Sequence, residues 1–331
     1  MTDVRDVTIV GAGPVGLFGA FYAGLRGMSV RIVDSLEDAG GQLVALYPEK
    51  LVYDMPGFPE ILAKDLAEGF FRQAQRFQPE IVLNQRCEKL VSSEGNWILS
   101  TDKGEYPSKT LILCAGVGAF SPTKLGVDRE SDFVGNGLFY GVQSKEVFRD
   151  KRVVVVGGGD SALDWALALE GIASDLKLVH RRDGFRAHED SIRKLMASTV
   201  ELRLWEVVTE LCGDEKIDAV RTENKQTHEV STIECDEVIV NIGYKTTLGP
   251  LKDWGLALAK NKVAVNTKME TNLAGIYAAG DICTHEAKLD LIATGVGEVC
   301  IAVNYAKTYI DPAASAFPGH SSDMQLPDLQ S

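Results

Sequence analysis

Apolar runs alternate with glycine-rich turns along the chain, and their order predicts a parallel sheet. The segment DVTIVGAGPVGLFGAFYAGLRGMSVRIVD (6–34) contains a β-branched run ending at Val10, a glycine turn, an apolar stretch from Val15 to Leu25, and a second β-branched run. The pattern predicts a strand, a helix that ends near Gly27, and another strand. Such a βαβ unit has parallel strands.

The same order returns in KRVVVVGGGDSALDWALALEGIASDLKLVHRR (151–182). The chain therefore holds two copies of one ligand-binding arrangement, with glycine turns at Gly11 and Gly157. Further strand-like runs precede glycines at 110–118, 236–244 and 275–281, and residues 65–77 have helical spacing. The predicted fold class is α/β, with two Rossmann-like, three-layer dinucleotide-binding domains.

The first turn has the spacing Gly11-x-Gly13-x-x-Gly16 between a strand and a helix. These glycines permit a tight turn, close approach of the backbone to a pyrophosphate, and close helix–strand packing, respectively. The helix N-terminus then faces the phosphates with free N–H groups. Asp34, at the end of the next strand, is expected to accept hydrogen bonds from a ribose 2′,3′-diol.

The second turn is Gly157-x-Gly159-x-x-Ala162, and here the register separates two ligand classes. Asp34 lies 23 positions after Gly11, and the residue 23 positions after Gly157 is His180, followed by Arg181 and Arg182. A carboxylate repels a 2′-phosphate, whereas arginine offers it a charged fork of donors. We therefore predict FAD at the first turn and NADPH at the second. The alternative is a solvated face in which the arginines pair with Asp183, Glu189 and Asp190.

Composition and charge narrow the function classes. The chain has 331 residues, enough for two domains, and a net charge of -13. This charge disfavours nucleic acid and anionic membranes as partners. There is no signal-peptide pattern at the start and no apolar run of about 18 residues. We expect a cytoplasmic protein that binds neither a membrane nor nucleic acid.

The cysteines are too widely spaced for a C-x-x-C motif, and we predict buried, reduced thiols and no metal site. They are Cys87, Cys114, Cys212, Cys235, Cys283 and Cys300.

Several motifs resemble the thioredoxin-reductase-like flavoproteins: GGQL (40–43), VVVVGGGDSALDWA (153–166), HRRDGFRAHE (180–189) and GIYAAGDI (275–282). A thioredoxin reductase has a C-x-x-C shortly before its second glycine turn, but the stretch GNGLFYGVQSKEVFRDKR (135–152) has no cysteine. The segments GGQLVALYPEKLVYDMPGFP and GDICTHEAKLDLIATGVGE are more similar to the ferredoxin/flavodoxin–NADP⁺ reductases of this fold.

The resemblance implies a domain arrangement and an activity. A FAD domain, 1–116 with 244–331, would carry an inserted NADPH domain, 117–243, with glycine hinges near Gly116 and Gly243. The homodimeric enzyme would transfer a hydride between NADPH and flavin N5, and single electrons between the flavin and ferredoxin or flavodoxin. Two alternatives stay open: the same chemistry with a thiol protein, a quinone or oxygen as acceptor, and a non-enzymatic flavin redox sensor.

The resemblance also implies roles for individual residues. Tyr47 would stack on the flavin, and His320, in a C-terminal tail (311–331), would cover the flavin of the partner subunit. The FAD-binding set is Gly11, Gly13, Gly16, Asp34, Gln42, Tyr47, Cys87, Phe120, Asp281 and Ser322. The NADPH-binding set is Gly157, Gly159, Asp160, Ser161, His180, Arg181, Arg182 and Arg186.

Two further expectations concern the flavin and the acceptor. A helix that begins near Gly297 would point its N-terminus at the flavin N1/C2 carbonyl region and stabilise the reduced form. An acidic acceptor would need a local basic patch, because the chain itself is acidic. Candidate patches are Lys145, Arg149, Lys151 and Arg152, or Arg193 with Lys194; scattered surface charge is the alternative.

Overall fold

The structure is a computed structural model that describes residues 3–142, 144–317, 319–323 and 326–327. The chain divides into two compact units: unit 1 comprises Met1–Ala119 and Thr246–Ser331, and unit 2 comprises Phe120–Lys245. The domain boundaries predicted from the sequence, after 116 and after 243, lie within three residues of these divisions. In the described residues, no helix is both long and apolar enough to cross a membrane.

The first segment of unit 1 contains eight strands and three helices. In chain order they are β1 (Arg5–Val10), α1 (Pro14–Leu25), β2 (Val30–Val33), α2 (Gln42–Ala45), β3 (Leu51–Val52), β4 (Ile61–Leu62), α3 (Ala63–Gln75), β5 (Glu80–Val82), β6 (Cys87–Ser93), β7 (Asn96–Thr101) and β8 (Glu105–Leu113). β9 (Ala119–Pro122) crosses the first division between the units.

Unit 2 contains α4 (Glu130–Phe133), β10 (Leu138–Phe139), a 3₁₀ helix (Lys145–Phe148), β11 (Arg152–Gly157), α5 (Asp160–Leu169), β12 (Asp175–His180), α6 (Glu189–Met196), β13 (Glu201–Leu204), β14 (Glu206–Cys212), β15 (Ala219–Asn224), β16 (Val230–Glu234) and β17 (Glu237–Asn241). β18 (Tyr244–Thr247) crosses the second division. Unit 1 resumes with a 3₁₀ helix (Gly249–Asp253), β19 (Leu258–Ala259), β20 (Lys262–Ala264), β21 (Ile276–Ala278), β22 (Cys283–Thr284), α7 (Ile292–Ile310) and a 3₁₀ helix (Ser321–Asp323).

The main sheet of unit 1 has the strand order β5-β2-β1-β8-β7-β6, and β21 also pairs with β8. β8 accommodates two neighbours on one side because its first half pairs antiparallel with β7 and its last three residues pair parallel with β21. The carboxyl ends of β1, β2 and β21 consequently meet at one edge, where ligands of such sheets bind. One buried cluster packs α1, α3 and α7 on one face, and a second fills the other.

Unit 2 has a five-stranded parallel sheet in the order β10-β17-β11-β12-β13 and a three-stranded antiparallel sheet β14-β15-β16. The VVVV run of β11 shows how the layers form. Val153 and Val155 pack in the cluster with α5 and α6, whereas Val154 and Val156 pack in the cluster with the antiparallel sheet. A strand buried on both faces is a continuous apolar run, as the sequence predicts.

The expectation of a helix that begins near Gly297 is wrong. α7 begins at Ile292, so Gly297 lies in its second turn and does not form its N-terminus. Glycine in a helix costs stability, which favours placing a boundary there. α7 nevertheless contains Gly295, because only glycine fits at that position: a Cβ would lie 2.6 Å from Val15 Cγ2 and 3.1 Å from Gly280 Cα.

Candidate dinucleotide-binding sites

The first glycine turn has no room for side chains at two of its three glycines. A Cβ on Gly11, whose φ is +113°, would lie 2.3 Å from the carbonyl oxygen of Cys114. A Cβ on Gly16 would lie 1.9 Å from the Gly11 carbonyl oxygen. Gly13 is the N-cap of α1, which has no side-chain cap and no acidic residue in its first turn. The N–H groups at this terminus are thus available to an anion.

Sequence reasoning did not assign a role to Gly41, although the GGQL motif that contains it was noted. Gly41 has φ +59°, and a Cβ there would lie 2.9 Å from Gly13 Cα. The segment before α2 therefore crosses close to the start of α1, in contact with bare backbone. A glycine pair immediately before a short helix is the signal that could have identified this crossing.

Asp34 lies directly after β2, and its carboxylate contacts the first glycine turn. Its Oδ2 accepts a hydrogen bond from Ala12 N at 2.6 Å, and its Oδ1 accepts one from Leu36 N at 2.8 Å. Burial raises the pKa of the Asp34 carboxyl, and the backbone donors oppose that rise. A carboxylate oxygen accepts more than one bond, so both oxygens keep the capacity to accept ribose hydroxyls.

Three other predicted flavin residues lie around the same edge of the unit 1 sheet. Asp281 follows β21, and burial raises its pKa. Burial also raises the pKa of Tyr47, and the charges of Asp281 and Asp54 add to this rise, which places both carboxylates near the phenol. Gln42 begins α2, and its Nε2 lies 3.2 Å from where a Gly116 Cβ would be.

Cys87 lies at the start of β6 and is buried. Burial, followed by the charge of Asp34, raises the pKa of its thiol to about 12.

Two other predicted flavin residues, His320 and Ser322, lie in the C-terminal tail. His320 and Ser322 are exposed in the tail, and the described contacts of His320 lie within the tail itself, including the Phe317 ring at 5.5 Å. Phe120 belongs to β9, but its side chain lies outside the described part of the structure.

The second glycine turn repeats the backbone of the first with different neighbours. A Cβ on Gly157, whose φ is +153°, would lie 2.2 Å from Asn241 O and 2.8 Å from Ala162 Cβ. Gly159 is the N-cap of α5 and has no side-chain cap. Unlike α1, α5 has an acid, Asp160, in its first turn, and its Oδ1 accepts a hydrogen bond from His188 N at 2.9 Å. Ser161 follows in the same turn and is exposed.

His180, the last residue of β12, covers Gly158. A Cβ on Gly158 would lie 2.0 Å from His180 Cε1, so only glycine fits beneath this ring. The ring stacks on Phe185 with centroids 5.2 Å apart, and its Nε2 lies 3.2 Å from Gly184 O. Burial lowers the pKa of His180, opposed by the backbone bond to Gly184, and the charges of Arg181 and Arg182 lower it further.

Residues 181–188, which we call the arginine loop, fold back onto the second turn. Arg186 N donates to Gly158 O at 2.7 Å, and Arg186 forms a parallel bridge with Gly159. The side chains of Arg181, Arg182 and Arg186 are exposed. The backbone of the loop is thus fixed beside the N-terminus of α5, while three guanidinium groups reach solvent.

The alternative of a salt-bridged surface does not describe this loop. Asp190 pairs with Arg193 and with Lys194 Nζ at 2.8 Å. None of the ion pairs among the described residues involves Arg181, Arg182 or Arg186. The exposed cations beside the helix terminus fit a phosphate group.

Most cations of the suggested docking patches have acidic partners. Arg149 pairs with Glu146, and Arg152 pairs with Glu234 and Asp236. Arg193 and Lys194 share Asp190. These pairs reduce the positive charge that either patch presents.

Each unit thus carries a glycine turn at a helix N-terminus, closed by a carboxylate in unit 1 and flanked by exposed arginines in unit 2. The family described as pyridine nucleotide-disulphide oxidoreductase matches residues 5–304. The chain belongs to this family, which confirms the predicted fold class and implies the use of a flavin and a pyridine nucleotide.

Individual relatives are close. The chain is 50% identical to a ferredoxin–NADP reductase of Shouchella clausii, covering 97% of this chain and 98% of that protein. It is 51% identical to a ferredoxin–NADP reductase of Geobacillus thermodenitrificans with the same coverages. Among solved structures, the thioredoxin reductase of T. acidophilum is 28% identical, with a TM-score of 0.78, covering 94% of this chain and 99% of that chain. These findings confirm the resemblance inferred from the motifs.

Proposed function

We propose that this protein is an FAD-dependent oxidoreductase that transfers electrons between NADPH and ferredoxin or flavodoxin. Unit 1 would hold FAD and unit 2 would hold NADPH. The names of the relatives that are about 50% identical support ferredoxin as a partner.

One observation carries the assignment of the cofactors. The position 23 residues after the first glycine is a carboxylate in unit 1 and a histidine followed by two exposed arginines in unit 2. Asp34 is suited to ribose hydroxyls and repels a 2′-phosphate, whereas Arg181 and Arg182 would bind that phosphate. An unmodified ribose is a feature of FAD, and a 2′-phosphorylated ribose is the feature that distinguishes NADPH from NADH.

The residues of the chain would bind and orient the cofactors, which would supply the redox chemistry: NADPH is a hydride donor, and a flavin can take up a hydride and pass its two electrons on one at a time. Gly13 and Gly159 would let backbone approach each pyrophosphate at a helix N-terminus. Gln42, Tyr47 and Asp281 would position the flavin at the carboxyl edge of the unit 1 sheet. Cys87, Phe120 and Ser322 are further proposed contacts, and His320 would act across a homodimer.

The thiols of the chain argue against a dithiol route for the electrons. All six cysteines are free. Burial raises the pKa of Cys114 and, to about 12, the pKa of Cys283. Because the thiolate is the nucleophile in disulfide exchange, buried thiols with raised pKa values are poor electron carriers.

The test is NADPH-driven reduction of cytochrome c by the FAD-loaded protein, with and without added ferredoxin or flavodoxin. We expect the electron-transfer protein to increase the rate strongly. A parallel assay with thioredoxin and a disulfide dye should give no turnover.

Failure of both ferredoxin and flavodoxin to increase the rate would contradict the proposed acceptor. Turnover with thioredoxin would support a thiol acceptor. Tight FAD binding without NADPH oxidation by any acceptor would favour a redox sensor.

A further inference from the structure

A buried carboxylate on α7 holds the chain segment that follows β21. Glu298 is 5% exposed. Its Oε2 accepts hydrogen bonds from Gly280 N at 2.8 Å and from Lys288 Nζ at 2.7 Å, and its Oε1 lies 3.0 Å from His285 Nε2. One side chain thus ties residues 280, 285 and 288 to α7.

A contribution to folding stability does not by itself explain the ion pair between Lys288 and Glu298. The side chains of Lys288 and Glu298 are each 7% exposed, and no other ion pair among the described residues has both partners so buried. Desolvation of two charges offsets most of their attraction, so apolar residues of similar size often stabilise a fold as well or better. The pair is therefore better explained by its position than by its contribution to folding.

That position is the turn that delivers Asp281 to the first dinucleotide site. Gly280 has φ +78°, its carbonyl accepts a hydrogen bond from Cys283 N at 3.1 Å, and a Cβ on it would lie 3.3 Å from Val15 Cγ2. Val15 belongs to the first turn of α1. The Glu298 carboxylate thus fixes a glycine turn packed against the start of the helix whose N-terminus flanks the first glycine turn.

We propose that Glu298 is a positioning residue for the flavin and that Lys288 supplies the matching charge, so that together they set the turn of Asp281 and the local electrostatic potential at the flavin. This inference rests on the proposed assignment of FAD to unit 1. Reduction adds negative charge to the flavin, and a fixed charge nearby changes the affinity for the reduced form more than for the oxidised form.

The two charges should act in opposite directions. Glu298→Gln keeps an oxygen that can accept from Gly280 N but removes the negative charge, and it should favour reduced FAD. Lys288→Met removes the positive charge at similar size and should favour oxidised FAD. We expect the ratio of the two dissociation constants to change about threefold to tenfold in each variant. A tenfold change corresponds to about 30 mV in the midpoint potential of a two-electron couple.

The experiment is a redox titration of bound flavin, followed by absorbance, on the FAD-loaded protein, its two variants and the double variant. The double variant should return toward the wild-type potential, because it leaves neither charge unpaired. Glu206→Gln is a matched control: Glu206 is 8% exposed, pairs with Arg203 at 2.9 Å and accepts from Thr222, but lies in unit 2. It should leave the flavin potential unchanged.

Shifts of the midpoint potential in the same direction for both single variants, or no shift in either, would overturn the inference. A turn that is only loosened would not shift the potential in opposite directions in the two variants. If Glu298→Gln does not fold, the midpoint potentials of Lys288→Met and the double variant are compared instead. The potential of Lys288→Met should be the lower of the two. Wild-type protein that binds no FAD would instead contradict the proposed function, which keeps the two failures distinct.

Discussion

The two glycine turns have similar backbone conformations but differ in the residue that packs over them. In unit 1, Asp34 reaches the turn with a hydrogen bond from Ala12 N. In unit 2, His180 covers the equivalent residue, Gly158, with its ring. Both contacts fix the turn, one through a charged acceptor and the other through packing.

The difference shows how one arrangement serves two ligands. A carboxylate over the first turn places negative charge where the ribose hydroxyls would lie. In unit 2, the lowered pKa of His180 favours the neutral ring. The positive charge beside this turn is therefore carried by the exposed arginines that follow it. The residue at this position thus fixes the turn in both units, but it carries the charge beside the turn only in unit 1.

The prediction with the largest expected effect concerns the arginines that follow His180. Arg181→Ala with Arg182→Ala should lower the preference for NADPH over NADH by at least about 100-fold, because each charge-assisted hydrogen bond contributes about 1.5–3 kcal/mol. The measurement is kcat/KM with each nucleotide. Arg193→Ala with Lys194→Ala is the control, because it makes the same change in net charge at residues that pair with Asp190. Equal losses in both double variants would contradict a specific phosphate site.

A second test fills the space beneath His180. Gly158→Ala should destabilise the protein by about 1–3 kcal/mol, the usual cost of overpacking, because its Cβ would lie 2.0 Å from the imidazole. Adding His180→Ala should restore part of the loss, as measured by urea unfolding. Gly69→Ala, in α3 with nothing near the added Cβ, is the control and should be neutral or stabilising. Absence of rescue would mean that the ring and the turn are not coupled.

The smallest test uses pH. The pKa of His180 in the folded state lies below its ordinary 6.5, so its contribution to stability is present above about pH 6.5 and is lost as the pH falls through the lower folded value. Between about pH 7.5 and about pH 5.5, the wild type should lose more unfolding free energy than His180→Gln. An equal loss in His180→Gln would contradict this account.

Much of the fold could be predicted because parallel strands and glycine turns have local signals. The βαβ order, the VVVV run buried on both faces and the register that matches Asp34 with His180 all come from nearby residues. The start of α7 could not be predicted, because the reason for a glycine inside the helix is a contact with residues distant in sequence: Gly295 packs against Gly280 and Val15. The Glu298 cluster was also missed, since it joins side chains from a loop and a helix that carry no shared spacing.

The arginine loop has a consequence for the kinetics of nucleotide exchange. Its backbone is tied to Gly158 and to Asp160 by hydrogen bonds within the protein. Ordering a residue costs about 1–2 kcal/mol of conformational entropy, and hydrogen bonds made within the fold offset part of that cost for the loop backbone. A nucleotide bound at the proposed site would then have to order only the arginine side chains, and its association would need no slow rearrangement of the loop backbone.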